Sequence, residues 1–404
     1  MPYENVAIVD VTETAKSRGD VERGDEYRSL EQYHETVVKD LLESAGLDMG
    51  DVDGWGTSIP YAPTDQSYPI RLLETLGLSV GWVTTTSDGG VSASSLLAQS
   101  AMAVESGMAE VVVCSIADLP RDPYRSGGED GDSTWDPDPR GSRKQYLRPY
   151  GSQGPNERLA HVARRHMHEY GTTADQLGEI PVVQRYHATR NPLAVFDEPL
   201  TKADWQESPM ISDPHRLYDC VMRVNGAFGF LLTTRTRAED LTDHPVFIDG
   251  TGFRYNRDDS PRPDVTTSGM KSAGQSAFEQ AGIERSDVDF LQLYDDYPIM
   301  VVVQLEDLGF CEKGAGGPFV AETDLRYDGD LPLNTGGGQL SAGQPGVGAG
   351  AVQVCEAVRQ LQGDAEGRQV ADATHGLVTG LAAVGYGTNT IGHSALVLSG
   401  GVDR

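Results

Sequence analysis

The chain states one pattern twice. Residues 6–11 (VAIVDV), 29–46 (SLEQYHETVVKDLLESAG) and 48–59 (DMGDVDGWGTSI) read as strand, helix, strand. The order returns in residues 246–253 (VFIDGTGF), 265–282 (VTTSGMKSAGQSAFEQAG) and 284–295 (ERSDVDFLQLYD). Ala45-Gly46 precedes Asp51-Val52-Asp53 by the same offset at which Ala281-Gly282 precedes Asp287-Val288-Asp289. Farther on, SSLLAQSAMAVESGMAEVVVCS (94–115) and the stretch from Gly348 to Leu377 each follow a glycine-rich turn and read as helix then strand. Two homologous halves of alternating strands and helices follow from this, and such alternation predicts parallel sheets covered by helices.

Between the repeated elements lies one long insertion. It opens with RDPYRSGGEDGDSTWDPDPRGSRK (121–144), whose Gly, Pro, Asp and Ser content predicts a surface loop. Helical text follows in 156–171 and 173–191, and VNGAFGFLLTT (224–234) reads as a buried strand that closes the first half. The expected division is residues 1–118 with 216–243 as the first half, 119–215 as a lid-like insertion, and 244–404 as the second half.

A formal net charge of -29 opposes nucleic acid and anionic membranes, because like charge repels. Lysine is scarce beside arginine, and so acidic a surface suits a salt-rich cytoplasm, where screening removes self-repulsion. The source is therefore expected to be halophilic. Apolar runs such as AEVVVCSI and PIMVVVQL are far shorter than a bilayer span. The chain enters its first strand with no basic leader, so a cytoplasmic protein is expected. Cys114, Cys220, Cys311 and Cys355 show no CxxC spacing and read as buried small apolar residues. His161, His166 and His168 lack the i, i+4 spacing of a two-histidine metal site and read as a solvated helix face; no metal is expected.

The most informative turn is TSDGGVSASS (86–95), set between β-rich SVGWVTTT and a helical run. A helix N-terminus presents unpaired N–H groups and a positive dipole end, so it stabilises developing negative charge. Gly89 and Gly90 let a substrate approach the backbone closely. Ser87 and Ser92 are possible nucleophiles there, although serines at such turns are more often caps.

Taken in order, GDVDGW, MAEVVVCS, HEYGTTADQLGEI (168–180), SPMISDPHRLYDC (208–220), VNGAFGFLLTT, LYDDYPIMVVVQLEDLGFCEKG (293–314) and LPLNTGGGQLSAGQPGVGAG (331–350) resemble the thiolase superfamily over essentially the whole chain. The resemblance is to its sterol-carrier and lipid-transfer branch, archaeal acetyl-CoA acetyltransferase-like members included. It implies a duplicated five-layer αβαβα sandwich, a homodimer, an acyl-CoA substrate with no bound cofactor, and in some members an accessory subunit with a zinc ribbon and an OB fold. The family's nucleophilic Cys falls at Gly90 in this chain. Its Gly-His-Pro becomes Gly343-Gln344-Pro345, its late Cys or His falls near Tyr386, and its Asn or His after the second DVD strand becomes Tyr294.

The scaffold is thus kept while the proton carriers change. Some thiolase-like members of this branch are aldolases, which split β-hydroxyacyl-CoA without a covalent acyl-enzyme and use tyrosines as acid and base. The resemblance therefore implies a retro-aldol reaction. Tyr294, Gln344 and Tyr386 are its candidate catalytic residues, and the Gly89-Gly90 turn is its electrostatic stabiliser. Asn334, Gly336, Gly337, Gly338 and Gly343 would shape the substrate pocket, while Asp295 and Asp296 would fix their loop through backbone hydrogen bonds. The alternatives are a silent acyl-CoA-binding subunit and an acetyltransferase using Ser in place of Cys.

Overall fold

The computed structural model describes residues 3–19, 26–61, 64, 66–122, 141, 145–152, 154–256, 264–385 and 389–401. Most of the glycine- and aspartate-rich opening of the insertion lies outside these residues, as does Tyr386.

The first half runs β1 (Val6–Glu13), α1 (Leu30–Ala45), β2 (Gly54–Ser58), α2 (Tyr68–Leu76), β3 (Trp82–Thr86), α3 (Ser92–Glu105) and β4 (Val111–Asp118). The insertion supplies α4 (Pro155–Tyr170), α5 (Glu179–Ala188), and the short pair β5 (Met210–Ser212) and β6 (His215–Arg216) before the chain returns in β7 (Gly226–Thr234). The second half carries β8 (Val246–Tyr255), α6 (Met270–Ala281), β9 (Phe290–Gln292), α7 (Pro298–Leu308), α8 (Gly338–Ala342), α9 (Ala349–Gln362), β10 (His375–Val384) and β11 (Thr390–Gly400).

Local chemistry sets these boundaries. Ser29 and Gln32 cap α1 reciprocally, Gln32 N donating to Ser29 Oγ at 3.3 Å and Ser29 N to Gln32 Oε1 at 2.8 Å. Gly46, at φ 64°, ends the helix in the left-handed conformation. The repeated Asp-Val-Asp does the same work in both halves. Asp51 accepts from Asp48 N at 2.8 Å, and Asp287 accepts from Glu284 N at 2.8 Å. Asp53 accepts from Val111 N at 2.8 Å at the start of β4, and Asp289 accepts from His375 N at 2.9 Å at the start of β10.

The strands order as β3-β2-β4-β7-β1-β8-β11-β10-β9. Among the described residues the two half-sheets pair with each other at the bridge between Ile8 and Val246. Side chains of β4 alternate between two cores: Val111 and Val113 pack outward with Val38, Leu41 and Leu72 of α1 and α2, while Val112 and Cys114 pack inward with Leu96 and Leu97 of α3. In the second half Leu377 and Val397 face α6 and α7, while Val378 and Leu396 face Val354 and Val358 of α9. The layers are therefore α1/α2, first half-sheet, α3/α9, second half-sheet, α6/α7. Helices α3 and α9 are buried around nearly their whole circumference, as a middle layer requires.

Two expectations need correction. The sheet is mixed, not parallel: β7 runs antiparallel to β1 and β4, and β11 antiparallel to β10 and β8. The chain passes from β10, ending at Val384, into β11, starting at Thr390, with too few residues for the crossover that parallel pairing needs, whereas β7 is entered from the long insertion, whose length does not fix its direction. His166 is also not solvated. It is fully buried, with Nε2 3.0 Å from Glu306 Oε1 and Nδ1 2.9 Å from Thr172 Oγ1, joining the insertion to α7.

Candidate active site

The turn after β3 passes through a single tight helical turn, Gly89–Val91, into α3. Gly89 adopts φ 60°, where a side chain is strained. Asp88 ties the turn down, accepting from Ser95 Oγ and Tyr255 OH, each at 2.8 Å. Ser92 is fully buried, and its Oγ accepts from Asp88 N at 2.9 Å. Ser87 is exposed. Neither serine is among the residues lining the cavity described below.

What stands over the helix start is the ring of Tyr294. A Cβ added to Gly90 would lie 2.3 Å from Tyr294 Cε2 and 2.3 Å from Leu381 O. Both contacts are far inside van der Waals distance, so Gly90 is glycine because the tyrosine ring and the β10 backbone press against it.

Tyr294 follows β9 and is held from three sides. Its N–H donates to Thr379 Oγ1 at 2.9 Å, Thr379 Oγ1 donates to Gln304 Oε1 at 2.6 Å, and Gln304 Nε2 donates back to Tyr294 O at 2.7 Å. One residue earlier, Asn334 brackets Leu293, accepting from its N–H at 2.7 Å and donating to its carbonyl at 2.9 Å. One residue later, Asp295 accepts from Gln339 N at 2.9 Å, Leu340 N at 3.2 Å and Gln353 Nε2 at 2.8 Å, fastening the loop to α8 and α9. The phenol side chain shares the cavity lining with Gln344, which acts to lower its pKa.

Asn334, Gly336, Gly337 and Gly338 therefore lie behind Tyr294 and do not line the cavity, contrary to expectation. A Cβ on Gly338 would lie 2.2 Å from Asp295 Oδ2 and one on Gly336 2.8 Å from Glu356 Oε2. These glycines exist for close packing of the loop that carries the tyrosine. Gly343, at φ 100°, packs against Val224 and Val195 and only leads the chain into Gln344, which does line the cavity.

The cavity has a volume of about 360 Å³. It is lined by Gly90, Tyr294 and Gln344 together with Tyr61, Asp296 and Tyr297, by residues 381–384 of β10, and by Arg148, Asn156 and Glu157 of the insertion. Tyr297 OH donates to Asn156 Oδ1, locking the insertion to the loop. Burial, then the charge of Asp296, then Tyr61 push the Tyr294 phenol well above its usual 10, against the lowering influence of Gln344. Burial likewise raises Tyr61 and Tyr297, so all three phenols are neutral donors at pH 7.

Of the lining residues, the sequence points to Gly90, Tyr294 and Gln344 as site residues but not to Cys220, Tyr61 or Asp296, among others. Cys220 is not fully buried but lines the cavity; burial and the charges of Asp219, Asp296 and Glu157 push its thiol up to about 12, so it is no thiolate nucleophile at neutral pH. Tyr61 sits in an irregular loop with no local signature. Asp296 is expected to fasten its loop as Asp295 does, yet its Oδ1 is buried without a partner. Among the described residues no cluster of His, Cys, Asp and Glu is arranged to hold a metal, and no helix is long and apolar enough to cross a membrane.

The geometry agrees with known proteins. Residues 253–394 match the family model described as thiolase C-terminal domain-like. The chain is 34% identical over 407 residues to the steroid side-chain-cleaving aldolase of Thermomonospora curvata, covering 99% of this chain and 98% of that one. This chain belongs to the thiolase superfamily. Within the superfamily it is also 35% identical to the 17-hydroxy-3-oxo-4-pregnene-20-carboxyl-CoA lyase of Mycobacterium tuberculosis, across 85% of this chain and 89% of that one. A solved structure described as the Ltp2-ChsH2(DUF35) aldolase superposes with a TM-score of 0.83 at 33% identity, covering 99% of both chains. The thiolase fold is shared with a sterol-carrier thiolase-like protein of Mycobacterium smegmatis at a TM-score of 0.70 and 16% identity. Aldolase relatives thus accompany a thiolase fold in which a tyrosine ring lies against Gly90.

Proposed function

We propose that this thiolase-superfamily enzyme cleaves the Cα–Cβ bond of a β-hydroxyacyl-CoA by a retro-aldol reaction, with no acyl-enzyme. The observation that carries the reading is the contact of Tyr294 with Gly90: the place from which a side chain would attack the thioester is occupied by a phenol. A retro-aldol step needs no nucleophile. It needs donors for the thioester oxygen as the enolate forms, and the turn at Gly89 and Gly90 offers N–H groups at the positive end of α3. Tyr294, neutral and sharing the cavity lining with Gln344, supplies a further O–H donor beside them, which assigns it the acid side of the chemistry. Arg148 and Arg223 at the cavity are cations suited to the anionic part of coenzyme A in an otherwise acidic protein.

Two assembly features belong to the same reading. Among the described residues strand β3 is a sheet edge paired with β2 alone, and Val83 and Thr85 are exposed along it, so a second copy adding its own β3 would give a homodimer. An accessory subunit of zinc-ribbon and OB-fold type is the second proposed partner, supported by the complex named in the structural relative. The test is to purify the chain alone and with such a subunit, supply β-hydroxyacyl-CoA esters, and follow release of the shorter CoA ester with its carbonyl co-product. Cleavage by either preparation supports the reading; binding of CoA esters without cleavage by both would leave a silent subunit instead.

A further inference from the structure

We propose that Asp296 is the base that takes the proton from the substrate β-hydroxyl and returns it to Cα. The inference rests on the retro-aldol reading above and names the group which that reading leaves open. Asp295 and Asp296 are adjacent but differ in kind. Asp295 spends its oxygens on three donors of α8 and α9. Asp296 lines the cavity, and its Oδ1 is buried without a hydrogen-bond partner, an arrangement that destabilises the fold unless something else uses the oxygen. A structural fastener would have been satisfied.

The other groups facing Asp296 do not compete for the role. Tyr294 and Tyr297 on its own loop and Tyr61, which also lines the cavity, are neutral phenols, and Cys220 is a neutral thiol. Glu157 of α4 turns Oε2 to its own helix start, accepting from Gly154 N at 3.0 Å. Arg148 and Arg223 are cations, and no histidine lines the cavity among the described residues. Burial, then the charge of Asp295, raise the Asp296 carboxyl to about 7, against the backbone N–H groups of Tyr297 and Asp296 itself. A base poised near the working pH follows.

The step balances within the site. The Asp296 carboxylate accepts the β-O–H proton, the β-oxygen becomes a carbonyl, and the Cα–Cβ electron pair moves into the thioester as its enolate. The Asp296 carboxyl then protonates Cα, giving the shorter acyl-CoA and restoring the carboxylate.

Asp296→Asn keeps the shape and removes the base. Steady-state turnover of a β-hydroxyacyl-CoA is expected to fall by about 100- to 10,000-fold, while affinity for the saturated acyl-CoA lacking the hydroxyl changes by no more than a few fold. The parent's kcat/KM should rise with pH through an inflection near 7, and that limb should vanish from the residual activity of the variant. Turnover within tenfold of the parent, or an acidic limb preserved in the variant, overturns the role of Asp296 while leaving the reaction standing. Should the variant fail to fold, the parent profile decides by itself, since no inflection between pH 6 and 8 contradicts the proposal. A parent that binds but cleaves no β-hydroxyacyl-CoA overturns the retro-aldol reading and this inference with it.

Discussion

Tyr294 lies against Gly90 so closely that a single added carbon on the glycine would sit 2.3 Å from the ring. The contact joins the two halves of the duplication, because Gly90 starts a helix of the first and Tyr294 follows a strand of the second. It also makes a testable claim about space. Gly90→Ala and Gly90→Cys should both displace the tyrosine, cost about 1–3 kcal/mol of stability through overpacking, and lower turnover. Thermal unfolding with a cleavage assay checks this. A Gly90→Cys variant as stable as the parent, with thiolase activity gained, would show that the ring does not own that position.

Tyr294→Phe keeps the packing and removes the O–H. Folding and CoA-ester affinity should persist while turnover falls by about 100- to 10,000-fold, read from kcat and from binding of a saturated acyl-CoA. Parent-like turnover would remove Tyr294 from the chemistry.

Asn334 serves at one remove. Asn334→Ala leaves the buried N–H of Leu293 unpaired, at a cost of about 1–3 kcal/mol, and leaves its C=O only the long bond from Gln353 Nε2 at 3.4 Å, so it should destabilise the protein more than loss of an exposed asparagine would. Chemical denaturation gives the number, and a loss under 0.5 kcal/mol, a threshold set at about the scale of ordinary surface substitutions, contradicts the bracketing role.

Thiol chemistry should be slow. The Cys220 thiol is pushed up to about 12, so iodoacetamide at pH 7 should label it far more slowly than a free thiol of ordinary acidity. Peptide mass mapping against time, run beside the activity assay, decides this; rapid inactivation that tracks Cys220 labelling would mean its surroundings are less shielded than the structure has them.

A dimer paired through β3 should scatter light as two copies in multimolar salt, and a charged substitution at exposed Val83 should shift it toward monomer. A parent that is monomeric at micromolar concentration in that salt rules the arrangement out.

Much of this was legible in the residues. The repeated Ala-Gly and Asp-Val-Asp marked two equivalent halves, and the carboxylates of Asp53 and Asp289 have matching partners because each closes the same strand-to-strand joint. The glycine-rich turn at 86–95 and Tyr294 are visible as positions but not as neighbours, since 203 residues of chain lie between Gly90 and Tyr294 and the packed halves bring them together. Strand direction was not legible in β7, because periodicity reports which face is buried and carries no polarity. Nor could the sequence divide Asp295 from Asp296: two identical side chains on consecutive residues leave the backbone in different directions, one into α8 and one into the cavity. Asn334 and Gly336 to Gly338 were assigned to the pocket for want of knowing that their loop packs behind the tyrosine.

The central claim is that carbon–carbon cleavage here proceeds without a covalent acyl-enzyme. Rapid quench of the protein during turnover of a β-hydroxyacyl-CoA, followed by intact-protein mass measurement and quantification of both products, tests it most directly. The account predicts unmodified protein at every time point, with shorter acyl-CoA and carbonyl compound formed in equal amounts; a protein mass increased by an acyl group, formed and lost at the rate of turnover, would contradict it.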